Sequence, residues 1–377
     1  MPRYGNFNIL FIGTFTFILC CTLTLMVNIN SITKTCKLDD TDKEHNIMNS
    51  KYRGPDLIII ILSAPINVKK RQLIRNTWTK LYGRKQNNLE QTFIVKYYFV
   101  IGNVGLDVHI KKQMSDEQMT NKDLLILPIL DDYKNITYKV KQTFQWLSDQ
   151  YDYGMDFKYV LKCDDDSFVH LKSLVGELIE IEKLYLSPPS LKSVIEVLKY
   201  SSAETMSANI QANNKDGPNK LNLYWGYFYG NARIFTKGKW KETEWIFSDR
   251  YMPYALGGGY LLSKNLVTYI GKNAENLRTF NAEDVSVGFW LAPVDNILRI
   301  HDTRFDTEWK SRGCQNQHLI VHHVSPEEML QYYKNVEENG ELCQVEKRKK
   351  NRSVYIYNWK VPPSQCCKTI EESTIHL

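Results

Sequence analysis

Residues 159–169 read Tyr-Val-Leu-Lys-Cys-Asp-Asp-Asp-Ser-Phe-Val. A short apolar run ends in three consecutive carboxylates, and apolar residues then resume. Like charges side by side repel, so Asp164, Asp165 and Asp166 need something positive nearby. A solvated turn with an Asp at a helix N-cap accounts for one of them and leaves two unexplained. Divalent cations such as Mg²⁺ and Mn²⁺ prefer carboxylate oxygens and would relieve the repulsion. A metal held by one or two carboxylates takes further oxygen ligands, which a diphosphate supplies. Such an ion also neutralises charge developing on a leaving group.

The run before the triplet is one of a series. Residues 56–62, 93–102, 123–130 and 157–163 have the apolar, β-branched character of buried strands. Between them lie helix-like segments: 69–82, a polar stretch ending at Lys122, and 138–151; another follows at 171–185. This alternation predicts an α/β fold with a parallel sheet covered on both faces. The triplet then sits at the carboxyl end of the fourth strand, the side on which such sheets bind ligands. Residues 186–220 are polar and broken by Pro and Gly, and read as a loop insertion. The pattern turns aromatic and β-like from Leu221, glycine-rich over 254–263, and helical through 283–292.

No charged residue occurs between Arg3 and Lys34, and residues 7–29 are apolar enough to cross a bilayer as an uncleaved anchor. The expected organisation is a tail (1–6), the anchor (7–29), a polar stem (30–55) and a catalytic domain (56–370). The chain has 377 residues and a net charge of +6, partly concentrated in 346–352, and contains no recognisable nucleic-acid-binding module. Of eight cysteines, Cys314, Cys343, Cys366 and Cys367 cluster late, as disulfides in an oxidising compartment would, with the pairing left open. The absence of a CxxC pair argues against structural zinc. Asn135-Ile-Thr137 and Asn351-Arg-Ser353 are glycosylation acceptor sequences that fit lumenal exposure.

Four further patterns are candidates for chemistry. Glu283 and Asp284 open a helical segment, and Asp284 shares a face with Gly288. The pair suits either a helix N-terminus or a general base that deprotonates an acceptor hydroxyl. Gly257, Gly258 and Gly259 permit close backbone approach to a ligand, or a tight turn. Arg71 and Arg75 lie one helical turn apart and could meet phosphates, or merely form a surface face. His322 and His323 stand out from the lone His301 and His318 by being paired.

Taken in order, RQLIRNTW (71–78), KCDDDSFV (162–169), YALGGGYLLS (254–263), EDVSVGFWLAPV (283–294) and VHHVSPEEM (321–329) resemble the β-1,3-glycosyltransferases of glycosyltransferase family 31. The resemblance spans 56–367. Residues 301–323 and 357–367 are similar to the branch that builds the glycosaminoglycan–protein linkage region. It implies a GT-A fold, a Rossmann-like mixed sheet flanked by helices. It also implies UDP-galactose as donor, Mn²⁺ as cofactor, and Galβ1-4Xyl on a proteoglycan core protein as acceptor. A Golgi membrane location with a lumenal catalytic domain follows. Carried over by motif, Asp166 and His322 would bind the metal, with His323 as the adjacent alternative. Asp164, Asp165, Arg71, Arg75, Gly258 and Gly259 would line the donor site. Asp284 would be the base and Glu283 its neighbour. The rival expectations are transfer of N-acetylglucosamine or transfer to another acceptor, a catalytically silent lumenal binding protein, and a metal-dependent phosphohydrolase.

Overall fold

Six consecutive aliphatic residues form β1 (Leu57–Leu62), and every one is buried. A strand like this is stable only where both faces of its sheet are covered. Successive side chains point to opposite faces. Leu57, Ile59 and Ile61 join a core with Ile74, Trp78, Leu174 and Leu178, while Ile58, Ile60 and Leu62 join a second core with Phe144, Leu147, Val267 and Ile270. The computed structural model describes residues 54–82, 93–186, 221–348 and 355–369, all within the unit Gly54–Leu377. The expected anchor at 7–29, nearly all of the stem, the insertion beyond residue 186, and Asn351 lie outside the described residues. Among the described residues, no helix is long and apolar enough to cross a membrane.

From β1 the chain runs through α1 (Val68–Asn76) and α2 (Trp78–Tyr82) to β2 (Val95–Val104), then α3 (Val108–Asn121), β3 (Leu124–Leu130) and α4 (Ile136–Asp152). The single helix expected over 69–82 is thus two helices. Thr77 interrupts them, donating its hydroxyl to the Leu73 carbonyl at 2.8 Å. Then follow β4 (Tyr159–Asp164), the short β5 (Phe168–Val169), α5 (Leu171–Leu186), β6 (Leu223–Phe228), β7 (Ala255–Ser263), α6 (Lys264–Lys272), α7 (Glu283–Trp290) and β8 (Leu298–His301). The main sheet has the order β3-β2-β1-β4-β7-β6-β8.

β1 to β4 are parallel, as the alternation of strands and helices predicts. β7 departs from that expectation, pairing antiparallel with both β4 and β6. The glycine-rich segment is therefore a central strand rather than a turn. Because β7 runs backwards, its first residues arrive at the edge where β1 and β4 end. A small sheet joins β5 to β10 (Ile320–Val321) and β9 (Phe305–Asp306). That sheet carries the late histidines back to the triplet, ahead of α8 (Pro326–Asn339).

Candidate active site

Leu62 and Asp164 are register partners, so the triplet leaves β4 where β1 also ends. The three carboxylates then part company. Asp165 turns inward and accepts hydrogen bonds from Ser63 Oγ, Asn67 Nδ2 and Lys70 Nζ, each at 2.8 Å. Its side chain is 8% exposed, against 28% for Asp164 and 29% for Asp166. Asp165 was expected to face a donor; its oxygens are instead engaged in tying the end of β4 to the turn after β1. Asp164 and Asp166 remain open.

Asp166 lies between two imidazoles. His322 Nδ1 is 3.2 Å from Oδ1, and His323 Nδ1 is 3.6 Å from Oδ2. Ser167 has a single hydroxyl proton, which it donates to the Gly258 carbonyl at 2.8 Å. The 3.1 Å contact between Ser167 Oγ and His322 Nδ1 must then be donated by the imidazole. In the neutral tautomer with its proton on Nδ1, His322 presents the Nε2 lone pair that a metal would take. Asp166 Oδ1 is buried and has no hydrogen-bond partner. Asp166, His322 and His323 bring one ligand atom each to within 4.8 Å of one another. A buried orphan carboxylate oxygen beside imidazole nitrogens suits a divalent transition metal such as Mn²⁺. Burial alone would raise the pKa of Asp166, but His322, Lys70 and His323 outweigh it and bring it down to about 2.

The histidine pair is held by local structure. The His322 N–H donates to the Asp306 carbonyl at 3.0 Å, and the Val324 N–H to the Asp166 carbonyl at 2.9 Å. His323 adopts a left-handed backbone, φ 57°, and α8 begins three residues later. Ser325 and Glu328 form a reciprocal capping box there, which gives the SPEE sequence a mechanical reason.

A second acidic pair opens α7. Asp284 Oδ2 accepts the Gly257 N–H at 3.0 Å, and Oδ1 accepts its own helix's Val285 N–H at 2.8 Å. Burial raises the pKa of Asp284, with Lys162 and the two amides working the other way. Glu283 is 4% exposed; its Oε2 takes the Tyr260 hydroxyl at 3.0 Å and its Oε1 contacts Lys162 Nζ. Burial pushes Glu283 up to about 7, against Lys162 and with help from Asp284. Lys162 Nζ also reaches Asp164 Oδ1 at 3.0 Å and the Gly257 carbonyl. A Cβ at Gly257 would lie 2.6 Å from Glu283 Oε1, so a side chain there would push that carboxylate from its place beside Lys162.

Several expected residues lie elsewhere than foreseen. Gly258 and Gly259 do give close approach, but to the ring of His322 and to Ile320, not to open space. Arg71 is fully buried. Its guanidinium is bound to Glu117, Ser63, Ala64 and Pro65. Arg75 binds Glu117 and Asp123. Burial opposes ionisation of Glu117, yet the two guanidiniums prevail and its pKa is lowered. The arginines thus brace α1 against α3 behind the site, and Lys70 is the α1 cation that reaches the triplet. His301 and His318 are buried core groups that burial pushes down to about 3 and about 4. Asn135 donates its side-chain amide to the Leu130 carbonyl at 3.1 Å, and Thr137 is buried. Cys314 pairs with Cys343, and Cys366 with Cys367.

Sequence reading passed over Lys162 and Lys70. A signal for Lys162 existed: a lysine inside an otherwise apolar strand, two residues from Asp164 and so on the same face.

A family model described as Galactosyltransferase matches residues 69–302. Beta-1,3-galactosyltransferase 6 of Mus musculus is 38% identical over 316 residues, covering 84% of this chain and 83% of that protein. UDP-GalNAc:beta-1,3-N-acetylgalactosaminyltransferase 2 of Homo sapiens is 26% identical over 235 residues, or 62% of this chain and 38% of that protein. Hydroxyproline O-galactosyltransferase GALT6 of Arabidopsis thaliana is 26% identical over 303 residues, 76% of this chain and 37% of that protein.

Proposed function

The chain belongs to the galactosyltransferase family and is a β-1,3-galactosyltransferase; from that premise we propose that it transfers galactose from UDP-galactose to the 3-hydroxyl of the galactose in Galβ1-4Xyl on proteoglycan core proteins. The mixed sheet, parallel except for β7 within the order given above, fits a GT-A fold. The observation that carries the reading is the pairing of two unlike acidic groups at one sheet edge. Asp164 and Asp166 stand open beside His322, and Asp284 lies across the Lys162 bridge with both oxygens oriented by amides.

The reaction is a single displacement with inversion. An electron pair of the acceptor 3-hydroxyl forms the new bond to the anomeric carbon as the bond to the β-phosphate oxygen breaks. UDP departs with the electron pair of the broken bond, and the hydroxyl proton passes to Asp284. The Gly257 and Val285 amides fix the rotation of that carboxylate, and its buried setting makes it a stronger proton acceptor than a solvated Asp. Asp166 and His322 would hold Mn²⁺, which when bound neutralises charge on the departing diphosphate. Asp164 faces the nucleotide. The chain would be anchored in the Golgi membrane by residues 7–29, with the catalytic domain lumenal and glycans at Asn135 and Asn351.

The test is a donor and acceptor panel. Full-length protein with Mn²⁺, several UDP-sugars and a Galβ1-4Xyl glycoside should give Galβ1-3Galβ1-4Xyl from UDP-galactose alone. A different sugar transferred, or free phosphate without transfer, overturns the reading.

A further inference from the structure

Lys162 is 1% exposed, and each of its three ammonium hydrogens has an acceptor: Asp164 Oδ1, the Gly257 carbonyl and Glu283 Oε1. These acceptors belong to three elements, β4, β7 and α7. Tyr260 of β7 lies beside it, with its ring centre 5.8 Å from Nζ. The other titratable groups acting on the Glu283–Asp284 pair are Tyr224 of β6, together with Tyr251 and Tyr254 ahead of β7.

A buried ion pair is a poor device for stability, because packed apolar side chains of the same volume usually do as well or better. The ammonium therefore calls for another explanation. Its place supplies one: it joins the donor-side carboxylate Asp164 to the strand start that aims the base. We infer that Lys162 is a positioning residue for sugar transfer, holding Gly257 and Glu283 so that the Gly257 amide stays on Asp284 while Asp164 is held on the donor side. The inference rests on the reading of Asp284 as the base. Lys162 also favours the ionised forms of Glu283 and Asp284, against burial. Without it, both carboxyl groups would take up protons at higher pH, and the fraction of enzyme with a competent base would fall.

The experiment compares Lys162→Met, Lys162→Met/Glu283→Gln and Asp284→Asn with the parent enzyme. The readouts are kcat, KM for both substrates, the pH profile of kcat/KM, UDP titration in Mn²⁺, and thermal unfolding. Lys162→Met should lower kcat about 10²-fold, the scale of a small misplacement at a reacting centre. Its acidic limb should move up by about one pH unit or more, as loss of a close opposite charge requires. UDP affinity should fall far less than kcat does, because Asp164 loses the cation that holds it on the donor side while Asp166 and His322 stay in place. The double variant removes the uncompensated carboxylate and should regain unfolding temperature without regaining kcat. It also supplies the kinetic reading if the single variant does not fold. Activity that returns together with stability in the double variant would make Lys162 merely structural, as would a Lys162→Met profile that overlays the parent's. If Asp284→Asn abolishes transfer while that overlay holds, only this inference falls. If Asp284→Asn transfers normally, the base reading falls first.

Discussion

Asp166 and Glu283 are both carboxylic acids withdrawn from most solvent at one edge of one sheet, yet the first is brought down to about 2 and the second pushed up to about 7. Burial acts on both in the same direction, so neighbours make the difference. Asp166 has two imidazoles and Lys70 around it, with an oxygen left over. Glu283 shares the Lys162 cation with Asp164 and sits beside another carboxylate. One group is built to stay anionic toward a cation, and the other lies in surroundings that favour holding protons. The two ends of the site are thereby set apart, with charge stabilisation at Asp166 and a proton-favouring neighbourhood around the Asp284 base.

Predictions follow from trying to erase that difference. The largest effect belongs to Asp284→Asn, which keeps the shape and removes the proton acceptor. Transfer should fall by about 10²–10⁴-fold, the usual worth of a general base, while calorimetric titration shows UDP binding unchanged. Arg71→Ala probes a charged cluster with no part in the contrast. It should cost about 3–5 kcal/mol, measured by urea unfolding, because Glu117 loses one of the two guanidiniums that compensate its buried charge. The residual folded fraction should transfer sugar with a normal pH profile. Asp166→Ala should weaken Mn²⁺-dependent UDP binding by more than the roughly 10–100-fold typical of losing an outer partner of a metal site. UDP titration with and without Mn²⁺ reads it directly.

The smallest effect is thermodynamic. Glu283 has its pKa raised from 4.5 to about 7 on folding, so the native state keeps a proton that the unfolded chain has lost. The resulting stability is full below pH 4.5 and declines as the pH rises toward 7. Chemical denaturation across pH 4.5–8 should show that decline, and Glu283→Gln should flatten it.

How much of this was legible beforehand depended on distance along the chain. β1 and the acids after β4 are local patterns, a buried apolar run and a strand end, and the structure has them where the sequence puts them. The antiparallel direction of β7 was hidden, because a glycine-rich apolar segment carries no mark of strand polarity. The three aspartates are chemically identical letters; only the turn after β1 decides that the middle one points inward. Arg71 and Arg75 have the helical spacing of a phosphate-facing pair, but Glu117 and Asp123 on the far side claim them. Lys162 meets Glu283 across 121 residues, a contact that no local window contains.

The place of β7 beside β4 has a consequence in time. β7 ends about a hundred residues after β4, so a ribosome working at 5–20 residues per second needs about 5–20 s to supply it. For that interval the nascent chain carries β4 with one edge unpaired, a surface prone to pairing with other chains. The donor-side acids are then already made, while the strand that aims the base does not yet exist. Assembly of the complete site is therefore a late event in synthesis, and a chain halted before residue 255 would hold carboxylates with neither their histidines nor their base.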